Sequence, residues 1–74
     1  MMRIDARGLE PPEPFERVME AIAELEPGSE ILLILNREPV PLYRVLERNG
    51  YFWNATWFDD GRCEILIREK RAPG

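Results

Sequence analysis

Histidine is absent from the 74 residues, and Cys63 is the only cysteine. Without an imidazole, the usual ligands of zinc and haem are gone, and so is the usual base of Ser-His or Cys-His catalysis. One thiol cannot close an internal disulfide. Carboxylates could still bind a metal, but no calcium-loop spacing occurs, so neither a metal nor a cofactor is expected. No apolar run approaches the ~20 residues of a bilayer span, and no signal-peptide pattern is present. A cytoplasmic chain without membrane contact is therefore expected. An excess of positive charge is also missing: 14 acidic side chains face 10 basic ones, a net −4. Binding to a phosphate backbone needs a basic face, so nucleic acid is not an expected partner.

What is present describes a globular chain. Apolar residues make up 45% and charged ones 32%, a balance unlike that of disordered segments. The charges of both signs are interspersed, as in "FERVMEAIAELE" and "IREKR", which is the pattern of a solvated surface. No repeat or low-complexity tract divides the chain. It reads as one domain over 1–74, with 69–74 expected as a flexible tail. That length lies near the lower limit for a self-sufficient core, which favours association with a partner.

Residues 2–5 give a short strand with Ile4 pointing inward. Phe15, Val18, Met19, Ile22 and Leu25 recur at spacings of three and four, marking the buried face of a helix. Pro14 suits its first turn, where a missing N–H costs nothing, and Pro27-Gly28 stops it. "EILLIL", residues 30–35, reads as a strand with neighbours on its flanks. Pro41 opens a second helix with Leu42, Val45 and Leu46 as its buried stripe, and Gly50 lies just past its end.

The last third reads as a hairpin. "FDDGR" fits a three-residue loop, Asp59-Asp60-Gly61, with Gly61 left-handed. This loop pairs Trp57 with Cys63, Ala55 with Ile65 and Trp53 with Ile67. A two-residue loop would slip the register and bring Asn54 and Thr56 among the isoleucines. With a right-handed crossover between the first two strands, the chain is an α+β two-layer sandwich. Its order is β-α-β-α-β-β, a mixed four-stranded sheet with two helices on one face.

The stretch "DARGLEPPEP", Asp5 to Pro14, resembles the Asp-x-x-Gly-Leu-x-Cys-Pro-x-Pro signature of the TusA-like (SirA-like) sulfur carriers, and the element order agrees along nearly the whole chain. In that family the cysteine opens the first helix and carries a persulfide in sulfur relay. The matching position here is Pro11, while Asp5, Gly8, Leu9, Pro12 and Pro14 keep the pattern. "GLEPPEP" together with "REPVPLY", Arg37 to Tyr43, is similar to a bacterial branch of unknown function. Members of that branch stand alone or are joined to hemerythrin-like and other domains. Some relatives carry a histidine where this chain has Arg37, so no haem or metal role carries over to that position. The resemblance implies the TusA/SirA-like fold and a setting near sulfur or redox metabolism.

A thiol at a helix start is held as thiolate by free N–H groups and the helix dipole. Proline offers no nucleophile and no proton to lose, so Pro11 cannot carry sulfur. The expected role is a non-catalytic binding or accessory module rather than an enzyme.

Parallel first and second strands end on the same edge, which sets the loops 6–13 and 36–41 side by side. The candidate contact surface is therefore Arg7, Gly8, Glu10, Pro11, Pro12, Glu13 and Pro14 with Arg37, Glu38, Pro39 and Pro41. Helix starts favour anions, yet two arginines here face three glutamates. A protein partner is thus preferred over a small anionic ligand. The plainer reading is that the prolines only stiffen both loops.

Other candidates have structural explanations. Cys63 as a displaced sulfur-carrying thiol is the alternative that would make the chain a sulfurtransferase relay protein. Its pairing with Trp57 points instead to a buried, inert thiol. Tyr51, Phe52, Trp53 and Trp57 invite comparison with base-stacking strands, the nucleic-acid alternative. Alternation turns both tryptophans toward the core and leaves Phe52 on the open face. Glu10 with Glu13, and Asp59 with Asp60, are carboxylate pairs accounted for by a helix start and a turn.

Overall fold

The computed structural model describes residues 1–70. The elements run β1 (Met2–Asp5), α1 (Glu13–Glu24), β2 (Glu30–Leu35), α2 (Val40–Arg48), β3 (Tyr51–Trp57) and β4 (Cys63–Glu69). The strands form one sheet in the order β1-β2-β4-β3. β1 and β2 are parallel, while β4 lies antiparallel to both β2 and β3. This is the mixed sheet and two-helix α+β arrangement expected from the residue pattern.

Both helices begin with proline in the first turn and carry no side-chain cap. For α1, Glu13 and Glu16 in the first turn complement the helix dipole. The Leu25 N–H closes its far end on the Ile22 carbonyl at 3.2 Å. α2 stops at Asn49, whose side-chain amide donates to the Val45 carbonyl at 2.8 Å. Gly50 follows with φ 80°, a conformation only glycine adopts without strain.

The core lies between the helices and the sheet. Val18 and Ala21 of α1, with Leu42 and Leu46 of α2, cover Ile31, Leu33 and Leu35 of β2 and Cys63, Ile65 and Ile67 of β4. Full burial of one Leu or Ile side chain contributes roughly 1.5–3 kcal/mol against solvent exposure. Strand alternation explains the selection, since residues two apart share a face.

The hairpin register is the expected one: Trp57 pairs with Cys63, Ala55 with Ile65 and Trp53 with Ile67. The Phe58 N–H donates to the Arg62 carbonyl at 2.9 Å, which leaves Asp59, Asp60 and Gly61 as the loop. Gly61 has φ 88°.

Three expectations need correction. Trp57 sits on the helix-facing side as alternation requires, yet it is 52% exposed. β3 is an edge strand, and a side chain at its hairpin end has a neighbour on one flank only; alternation fixes the face, not the cover. Phe15 is also exposed, because it stands in the first turn of α1 and overhangs a groove described below. A tail expected from residue 69 is wrong at its start, since Glu69 belongs to β4 and pairs with Tyr51, and the Lys70 N–H donates to the Gly50 carbonyl. The rest of the expected tail, 71–74, lies outside the described residues.

Candidate functional site

β1 and β2 run parallel, so the chain leaves both at the same end of the sheet. The ladder continues one step past β1, with the Ala6 N–H donating to the Ile34 carbonyl at 2.8 Å. The elbow then turns into α1, and the segment after β2 turns into α2. Between these two helix entries lies an open groove of about 540 Å³.

Its floor is apolar, built from Ala6, Leu33, Leu35 and Leu42, with Leu9 and Phe15 as walls. Pro11, Pro12, Pro14, Pro39 and Pro41 form the rim, together with Gly8, Asn36, Glu10, Arg37 and Glu38. Nine of the eleven candidate edge residues thus come together, and Arg7 and Glu13 do not line the groove. Proline rings are rigid and lack an N–H, so the rim offers fixed apolar surface with few donors.

Arg7 turns to the opposite side of the sheet. Ile4 packs against the core, so Asp5 points to the other face, and Arg7 follows it. Arg7 Nη2 donates to Asp5 Oδ2 at 2.7 Å, Nε to Oδ1 at 2.9 Å, and the backbone N–H to Oδ1 at 3.2 Å. These hydrogen bonds, the side-chain one first, lower the Asp5 pKa to about 2. The Arg7 guanidinium is held in its charged form chiefly by Asp5, with Asp60 and Glu64 adding to the field. Glu13 is paired with Arg17 on α1 at 3.3 Å. The groove therefore carries Arg37 against Glu10 and Glu38, and remains acidic on balance.

At the α2 side of the groove, the Tyr43 hydroxyl donates to Glu38 Oε2 at 3.0 Å. Its ring stacks on Trp53 of β3 with centroids 4.9 Å apart. Burial first, then the Glu38 hydrogen bond and charge, push the Tyr43 pKa upward. Cys63 lies under this region and is fully buried. Desolvation, with Glu38 second, raises its pKa, the reverse of an activated thiol.

The remaining carboxylates have local partners or turn positions. Asp60 accepts from the Arg62 N–H at 3.0 Å and from its Nη1 at 2.8 Å. Arg62 Nε lies 3.0 Å from Glu64 Oε2 but without hydrogen-bond alignment. The guanidinium stacks over Phe58 at 4.2 Å. Asp59 is an exposed turn residue. Among the described residues, no group of three or more Cys, Asp or Glu side chains is placed to hold a metal ion. No described helix is long and apolar enough to cross a membrane.

The groove floor was not visible from the sequence. Leu33 and Leu35 read as ordinary core positions, and only the topology sets them under two proline loops. The Leu9 of "GLEPPEP" was the one available signal, an apolar residue inside a polar elbow.

This arrangement of elements is the SirA-like fold. A crystal structure of a SirA-like protein from Desulfitobacterium hafniense is similar, with 31% sequence identity and a TM-score of 0.82. The match covers 90% of this chain and 95% of that one. Residues 3–69 match the model of a family described as an uncharacterized conserved protein, DUF2249, and the chain belongs to that family. No curated protein matches.

Proposed function

We propose that the chain is a non-catalytic binding or accessory module that works through the groove between its two helix entries. Within the family it falls in the branch whose elbow reads GLEPPEP. The observation that carries this reading is the chemistry at the rim. Pro11, where the sulfur carriers have their cysteine, lines an apolar groove and has no group able to accept sulfur. The likeness to a SirA-like protein supports a setting near sulfur or redox metabolism, and the proposed location is the cytoplasm.

The groove fits a protein segment that buries an apolar side chain against Leu33 and Leu42. A small anion is disfavoured, because Arg7 is committed to Asp5 and two glutamates oppose Arg37. Sulfur relay through Cys63 is opposed by that residue's burial and raised pKa. Nucleic-acid binding through the open sheet face is opposed by Asp5, Asp60 and Glu64, which pair with Arg7 and Arg62.

The test is affinity capture with the full chain and three variants. Arg37→Glu and Glu10→Lys should change partner recovery, whereas Arg7→Glu should leave it as in the wild type. Recovery that is indifferent to both Arg37→Glu and Glu10→Lys would remove the groove as the contact surface.

A further inference from the structure

The two edges of the sheet differ. β1 is four residues long and carries Arg3 and Asp5, the short charged form that natural edges use to avoid pairing. β3 has seven residues, Tyr51–Trp57, with no charge, proline or glycine. Its register against β4 is continuous from Tyr51↔Glu69 to Trp57↔Cys63, so no bulge twists it away. This edge lacks the usual safeguards.

The direction of its free backbone groups follows from two hydrogen bonds. Phe58 N–H reaches the Arg62 carbonyl, and Lys70 N–H reaches the Gly50 carbonyl. Antiparallel ladders alternate bonded and non-bonded pairs, so Phe52, Asn54 and Thr56 bond to β4. Tyr51, Trp53, Ala55 and Trp57 point their N–H and C=O groups outward, away from the sheet.

We propose that β3 is a self-association edge, pairing antiparallel with β3 of a second copy about a two-fold axis at Asn54. Asn54 is the midpoint of Tyr51–Trp57, so this register alone uses every outward backbone group. It opposes Tyr51 with Trp57 of the other copy and Trp53 with Ala55, a large ring against a small side chain. On the open face Phe52 meets Thr56, and Asn54 meets its own equivalent. The flanking β4 residues are opposite in sign, since the Phe52 row ends in Arg68 and the Thr56 row ends in Glu64. Trp57 and Phe52, 52% and 46% exposed in the single chain, gain neighbours. No β3 residue lines the groove, so the pairing and the groove stand independently.

The test is sedimentation equilibrium of the full chain with cysteine cross-linking. Wild type should show a concentration-dependent dimer. Asn54→Lys places like charges directly opposite one another on an exposed face, and should be monomeric where wild type is dimeric, with an unchanged circular-dichroism spectrum. Facing non-bonded residues have Cα atoms about 4.5 Å apart, within disulfide reach. Asn54→Cys should therefore oxidise readily to a linked dimer. Thr56→Cys should not, its equivalents being offset by about 13 Å along the strands. A wild type that stays monomeric at millimolar concentration would overturn the proposal. So would a dimer untouched by Asn54→Lys, or equal cross-linking at both positions.

Discussion

The Tyr43 hydroxyl donates to Glu38 Oε2 at 3.0 Å, fastening the α2 entry to the helix that follows it. The same side chain lies flat on Trp53, with ring planes 11° apart. A single residue thus links the groove rim, α2 and the edge strand β3. No periodicity in the sequence marks this link, because Glu38 lies outside the helix and five residues upstream.

Separating the two contacts gives a graded prediction. Tyr43→Phe keeps the stacked ring and loses the hydroxyl. Glu38 is exposed and its carboxylate can return to water, so the loss should sit near the low end of the ~0.5–1.5 kcal/mol for a hydrogen bond. Tyr43→Ala also forfeits the stacking and the ring's burial, and should cost at least twice as much. Thermal melts resolve this, since about 1 kcal/mol moves the midpoint by roughly 4–8 °C at this size. Equal shifts for the two variants would mean that the ring contributes nothing.

Stability should fall on the alkaline side. Burial raises the pKa of Cys63 above its ordinary 9.0 and those of Tyr43 and Tyr51 above 10.0. Below pH 9 these groups are protonated in both folded and unfolded chains, and their full contribution is present. As pH rises past 9 and then 10, the unfolded chain sheds these protons while the folded one holds them, so stability declines. Asp5 acts in the opposite sense: lowered from 3.8 to about 2, its contribution is present above pH 3.8 and fades as pH falls toward 2. Because Asp5 is exposed and screened by solvent, it should leave only a shallow acid limb. Melting temperature against pH should therefore show a steeper alkaline than acid decline, and Tyr43→Phe should soften the alkaline one. An alkaline decline unchanged in that variant would remove Tyr43 from the account.

How far the sequence anticipates these features depends on whether the relevant physics is local. The hairpin register was legible because one turn geometry and one alternation agree: only a loop ending at Gly61 sets Ala55 and Trp53 against Ile65 and Ile67. The helix entries were legible from Pro14 and Pro41. Alternation names the face of Trp57 without saying whether anything covers it, and cover depends on strand order. The place of Arg7 in the first loop suggests a position on the groove. A bond back to Asp5, two residues earlier, carries it to the far side of the sheet. The groove is a property of two loops meeting, so no stretch of either loop announces it.

The reactivity of thiols at two positions separates a binding module from a sulfur relay. Cys63 is fully buried, so iodoacetamide can reach it only when the hairpin and helices open together. Its native alkylation should run about 10³-fold or more below its rate in denaturant, following the population of the open chain. Pro11 is exposed at the groove rim, and a Pro11→Cys variant should be alkylated at the pace of an accessible thiol while Cys63 in the same molecule stays protected. Mass spectrometry of the alkylated variant, read at both sites, makes each molecule its own control. If Cys63 reacts as fast natively as in denaturant, the burial of β4 beneath α2 is wrong, and relay through this thiol becomes the better reading. If Cys63 is protected and the Pro11→Cys thiol reacts, the scaffold presents the position at which the sulfur-carrier signature has its cysteine, and this chain holds a proline there with no reactive group.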